Sequence, residues 1–155
     1  MAQKIIRSGI IPFSFYRNDI WVLLSEDIKY GEKGDFGGGR KRTESPYQAA
    51  RREAHEESNG LLTLGTEESQ PKFSISYKSA MIYFVPYTFD SLVRTRDAFN
   101  KSSGNKEVKC LHIILLRDIL GDETNSNNVW PFIRRLLKEN RGVLNRERFM
   151  TTFSD

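Results

Sequence analysis

Cysteine is nearly missing from this chain: Cys110 is the only one in 155 residues. That excludes an intramolecular disulfide framework and fits a reducing, intracellular and hence cytoplasmic setting. Because Cys110 stands in an apolar run, an inert buried thiol is expected there, not a nucleophile. Long apolar runs are missing too. None approaches the ~20 residues that cross a bilayer, so no membrane role is expected. Near the start, Arg7 and Pro12 interrupt the apolar stretch and no small-residue cleavage motif follows, which predicts a strand there instead of a signal peptide. Histidine is scarce. His55 is expected at an exposed helical position, and His112, inside an apolar strand, as a hydrogen-bonded core residue. There is no internal repeat or low-complexity tract. Charge of one sign barely dominates, with 24 basic against 20 acidic residues, too small an excess to establish nucleic acid as a partner.

What is present suits one domain over residues 1–155, and the 38% hydrophobic content supports a real core. The stretch from Gly37 to Gly60 combines a glycine-rich turn, a cationic loop and a carboxylate-dense helix. Ser45 at the N-cap, Pro46 at the first helical position and Gln48 at the third predict a helix opening with a capping box. Asn59 and Gly60 tolerate the left-handed conformation in which helices end, so the helix is expected over about 46–58. At ~100° per residue, Tyr47, Ala50 and Ala54 share one stripe, and Glu53, Glu56 and Glu57 share the next. Three carboxylates at the negative end of a helix cost roughly 0.3 to 1 kcal/mol each. A hard divalent cation would offset that, as would a solvated face with ion pairs. The preceding glycines, which permit close backbone approach or positive φ, favour the cation.

Gly38, Glu44, Arg52, Glu53, Glu56 and Glu57 also fall on a known signature, Gly-x5-Glu-x7-Arg-Glu-U-x-Glu-Glu-x-Gly-U with U a bulky aliphatic. In this stretch, Gly38 to Gly60, the protein resembles the Nudix hydrolases. Asn59 stands where that family has glycine, Gly60 where it has an aliphatic, and Ala54 is a small version of U. The resemblance implies an α/β/α sandwich with a mixed sheet. It also implies Mg2+ or Mn2+ held by Glu53, Glu56 and Glu57 with a backbone carbonyl near Gly38, and water attack on one phosphorus of a diphosphate linkage. The substrate class implied is a nucleoside diphosphate joined to another moiety. Glu53 or Glu107 would be the general base, with Asp97 and Glu68 as other bearers of the Glu107 role. Glu44 and Arg52 are expected to pair and brace the loop against the helix. Relatives commonly form dimers, so a homodimer stays open.

Arg40, Lys41 and Arg42 lie beside the carboxylates and suit a polyanionic substrate, or form a solvated loop. Together with a basic terminal helix they support removal of the RNA 5′ cap or 5′ phosphates as a second reading, and a non-catalytic nucleotide or RNA binding module is a third. Elsewhere the pattern predicts a hairpin of 5–15 and 20–24 around Asn18 and Asp19, and strands at 73–77, 80–87 and 108–116. Helices are expected at 90–100, capped by Asp90, and at 127–140, with Arg134, Arg135 and Lys138 outward and Gly142 as its stop. Leu144, Phe149, Met150 and Phe153 suggest a docked C-terminal segment. The insertion at 88–106 is where specificity is expected. Trp21, Tyr30, Phe36, Tyr83 and Phe84 are read chiefly as core, with a base-stacking platform as the alternative.

Overall fold

The structure, a computed structural model, describes residues 4–102 and 104–154. Two long strands form its centre. Strand β1 (Arg7–Tyr16) and β2 (Asp19–Asp27) make a hairpin, in register from Phe13 opposite Val22 to Tyr16 opposite Asp19. Its turn falls on Arg17 and Asn18, both at positive φ, the conformation whose twist matches the flanking strands. Beyond Phe13 the two strands part. The gap is filled by β3 (Lys33–Gly34), which pairs with β2, and β4 (Phe36–Gly39), which pairs with β1. On the outer edges β6 (Ala80–Pro86) runs parallel to β1, β5 (Ser74–Tyr77) pairs with β6, and β7 (Val108–Leu115) runs antiparallel to β2. The result is a mixed seven-stranded sheet.

The glycine-rich turn predicted at Gly37–Gly39 is a strand, and none of the three glycines has positive φ. Close approach is what Gly37 and Gly38 provide. A Cβ on Gly37 would fall 2.7 Å from Gly9 Cα and 2.3 Å from Asp35 Oδ2.

Helices cover both faces. On one lie α1 (Pro46–Glu57) and α2 (Phe89–Lys101), where Tyr47, Ala50, Ala54, Leu92 and Phe99 pack with Ile10, Leu23, Phe36 and Leu111. On the other, α3 (Leu116–Leu120), α4 (Pro131–Glu139) and α5 (Arg146–Ser154) cover Ile11, Phe13, Val22 and Leu24 through Ile119, Ile133, Leu136, Leu137 and Phe149. Phe149 seats α5, its ring centroid 4.7 to 5.2 Å from those of Phe13, Phe73 and Phe84. Met150 is exposed, and the Phe153 side chain lies outside what is described. Among the described residues no helix is long and apolar enough to cross a membrane.

Three predicted boundaries move, each for a local reason. Helix α2 is capped by Thr88, whose hydroxyl accepts from Ser91 N, while Asp90 sits inside the first turn. Helix α4 starts only at Pro131, because Asn125 and Asn128 take positive φ and Asn125 bonds the backbone of Val129 at both its N–H and carbonyl. It stops at Asn140, ahead of Gly142, with the Asn140 side chain bonded to Ser76 O and Leu136 O. Arg134, expected outward, is half-buried and donates to the Asp122 carbonyl.

Candidate active site

The site lies where β1 and β2 part, and α1 presents the carboxylates to it. The helix is held at its start by the capping box between Ser45 and Gln48 and by Ser8 Oγ, which donates to Pro46 O. Ala49, Ala50 and Ala54 are fully buried, so small side chains let the helix lie close to the sheet. Glu53 and Glu57 then meet β4. Gly37 N donates to Glu57 Oε1 at 2.9 Å, and a Cβ on Gly38 would fall 2.6 Å from Glu53 Oε1. Glu107, immediately before β7, completes a trio whose carboxylate oxygens lie within 4.8 Å of one another.

That proximity is costly to ionise. Glu57 is pushed up to about 10, first by burial, then by the charge of Asp35, by a hydrogen bond to Glu107 and by Glu53. Glu53 is also raised, again first by burial, against the lowering effect of Arg52. Below the trio, the Asp35 side chain is 1% exposed and is held by both terminal nitrogens of Arg7, at 2.9 and 2.8 Å. The Arg7 guanidinium lies 5.1 Å from the Trp130 ring.

Arg52 braces the helix. Its Nε and Nη2 hold Glu44 at 2.8 and 3.0 Å, Nη2 also reaches Gly39 O at 3.0 Å, and Nη1 donates to Glu53 Oε1 at 2.9 Å. Those bonds keep the Glu44 carboxyl at about 2. Glu56 stands apart from the trio: its side chain is exposed and 3.5 Å from Arg52, on an open groove along the outer side of α1. Arg40 is tied to Ile5 O and Glu44 O, while Lys41 and Arg42 are exposed. None of the three lines the cleft beside the trio. His55 and Glu68 are exposed, and Asp97 pairs with Arg96 on α2. Cys110 is half-buried, not fully enclosed, and contacts His112.

The cleft has a volume of about 330 Å³ and is walled by Arg7, Asp35, Glu57, Glu107, Tyr30 and Trp130, with no described residue of α2. Trp130 arrives there because Trp130 N bonds Lys33 O and Lys33 N bonds Asn128 O, stitching the segment before α4 to β3. Of the proposed stacking residues Phe36 and Phe84 are fully buried and Tyr83 nearly so. Trp21 packs edge-on against Phe89, and Tyr30 alone of the five reaches the cleft.

No family sequence profile matches this chain, and no curated protein matches it in sequence. Solved structures do match. A Nudix hydrolase from M. smegmatis, RenU, aligns over 93% of this chain and 88% of its own at 15% identity, with a TM-score of 0.59. The NUDIX domain of Shewanella oneidensis NrtR, complexed with ADP ribose, aligns over 94% and 91% at 15% identity, TM-score 0.56. A C. elegans Ap4A hydrolase aligns over 90% and 98% at 16%, TM-score 0.55. The chain has the Nudix hydrolase fold.

Within that fold the two departures from the Nudix signature have a structural use. Asn59 and Gly60 take the left-handed conformation at φ 54 and 78, so the helix ends as the signature requires. The Asn59 side chain, absent from a glycine, accepts from Asn105 Nδ2 at 2.9 Å and donates to Ser102 Oγ at 3.2 Å. Asn105 in turn holds the backbone N–H groups of Glu107 and Val108. Sequence reasoning missed Arg7, Asp35 and Trp130. The one available signal was Asp35, a lone acid between Gly34 and Phe36; nothing marks Arg7, which is 28 residues away.

Proposed function

We propose that this chain is a divalent-metal-dependent pyrophosphohydrolase cleaving a diphosphate linkage in a nucleoside diphosphate derivative. The observation that carries the reading is the trio Glu53, Glu57 and Glu107, whose carboxylate oxygens lie within 4.8 Å of one another. Hard carboxylate oxygens in that number suit Mg2+ or Mn2+, and Gly38 leaves room for them against the backbone. These residues would hold the ion, with Glu56 on the same helical edge as a further donor. When bound, it supplies charge stabilisation at phosphoryl oxygens and acidifies water.

The protein's own groups do the rest. Arg7 neutralises Asp35 and keeps the cleft floor from repelling phosphate. Glu53 has an oxygen committed to Arg52 Nη1, whereas Glu107 is exposed at the cleft mouth, so Glu107 is the better placed to take a proton from attacking water. Trp130 and Tyr30 offer faces for a base, and Lys41 and Arg42 are available to groups extending beyond the cleft. The solved relatives that act on Ap4A or bind ADP ribose make a dinucleoside polyphosphate and ADP-ribose the first substrates to try.

The test is a hydrolysis panel with Mg2+ and Mn2+, covering those compounds, canonical and oxidised nucleotides, sugar nucleotides, inositol pyrophosphates and capped RNA, read by product mass. Small nucleotides should be cleaved, and Glu57→Gln should lower turnover by at least about a hundredfold while the protein still folds. Wild-type turnover in that variant would refute the assignment. Cleavage of capped RNA alone would shift it to decapping, and binding without any turnover to a non-catalytic module.

A further inference from the structure

A second group of metal-ligating side chains converges on the opposite face of the sheet. Strand alternation places Glu26 on the face of Val22 and Leu24, and Cys110 and His112 on the face of Ile114, the same side of the sheet. The β2–β7 register sets Glu26 opposite Cys110 and Leu24 opposite His112. His112 Nε2 lies 2.8 Å from Glu26 Oε1 and 3.3 Å from Cys110 Sγ, and the three donor atoms lie within 4.8 Å of one another. We propose that Glu26, Cys110 and His112 form a site for a thiophilic divalent cation, Zn2+ in the first instance, separate from the carboxylate trio.

The donor chemistry selects the ion. One thiolate, one imidazole and one carboxylate are the borderline and soft set that Zn2+ prefers, while Mg2+ and Ca2+ take oxygen alone. The spacing is close to what that ion requires. With bonds of about 2.0 to 2.3 Å, a tetrahedral ion holds such donors roughly 3.4 to 3.6 Å apart. From the present hydrogen-bonded separations, His112 Nε2 and Glu26 Oε1 need to open by about 0.6 Å and His112 Nε2 and Cys110 Sγ by about 0.3 Å, within the reach of side-chain rotation. Two strands fix the directions, since Cys110 and His112 are two residues apart on one strand and Glu26 comes from its neighbour. Charge also closes: thiolate and carboxylate balance a dication. Lys109 Nζ, 3.9 Å from Glu26 Oε2, is on a side chain 68% exposed and can turn to water. Solvent reaches the cluster, the His112 side chain being 33% exposed, so an entry path exists and water can fill the fourth position. The consequence is mechanical. Among the described residues β7 pairs with β2 alone, so the ion would clamp this edge strand to its neighbour three residues beyond Glu107.

The test is a Co2+ titration of the full chain with saturating Mg2+ occupying oxygen-only sites. One equivalent should bind with a thiolate-to-cobalt charge-transfer band and the strong visible absorption of four-coordinate cobalt. Zn2+ should displace it and raise the melting temperature. Cys110→Ser should abolish the band, and His112→Gln and Glu26→Gln should each weaken Zn2+ binding by at least about tenfold, since even outer-shell partners of such sites are worth that much. Glu57→Gln should leave the band unchanged, which separates this site from the hydrolytic one. Absence of the band, a full-strength band in both His112→Gln and Glu26→Gln, or a half-equivalent stoichiometry with dimers in solution would overturn the proposal.

Discussion

At the scale of single residues, Glu44 and Gly38 show how differently two signature positions act. The Glu44 carboxyl is lowered from an ordinary 4.5 to about 2 by its bonds to Arg52. A depressed folded-state value means that its contribution is present above about pH 4.5 and lost as pH falls toward 2. Glu44→Gln should therefore flatten the melting-temperature profile over that window and lower stability at neutral pH; parallel profiles for the two proteins would refute this. At Gly38 a Cβ meets the flexible end of Glu53. Gly38→Ala should keep the fold, displace that carboxylate and weaken Mg2+ binding at least about tenfold by calorimetry. Gly37→Ala, whose Cβ meets the Gly9 backbone, should instead destabilise the fold by roughly 1 to 3 kcal/mol in urea unfolding. The type of residue needed at these places was legible in the sequence. The reason was not, because positive φ and close approach look alike until the partner strand is known.

Among the elements, α1 was the most legible, since the caps and the alanine stripe act within a few residues of themselves. The loop from α2 to β7 was the least. Its anchor, Asn105, bonds Glu56 O, Asn59 Oδ1 and the backbone N–H groups of Glu107 and Val108. Asn105→Ala removes all four contacts and should release Glu107 from the trio. Hydrogen exchange at Glu107 and Val108 should quicken, metal affinity should fall, and stability should drop by about 2 kcal/mol in urea unfolding, since the four bonds are worth about 0.5 kcal/mol each at the low end. Unaltered exchange would show that β7 alone places Glu107.

For the molecule as a whole, half of the basic residues that suggested RNA are committed elsewhere, while Lys41 and Arg42 are exposed. Arg40 is bound to Ile5 and Glu44, Arg134 to Asp122 O, and Arg135 to Glu139. Engagement of three phosphates by a single strand would give a log–log salt slope of about −2. Binding of an RNA oligonucleotide should show a shallower slope; one of −2 or steeper would revive the cap-removal reading. The cleft itself is a product of topology. It opens because β1 and β2 part and β3 and β4 enter between them, which no periodicity announces.

The sequence by itself determined the α1 limits, its buried stripe, the carboxylate edge, the alternation of the strands and the class of fold. Those depend on capping, propensity and spacing, all of them interactions between near neighbours in the chain. Only the tertiary structure decided that Glu107 joins Glu53 and Glu57 while Glu56 stands outside, that Arg7 neutralises Asp35, and that Trp130 walls the cleft. Those contacts join segments from opposite ends of the chain, and they exist because the parting of two central strands leaves one place where all of them can meet.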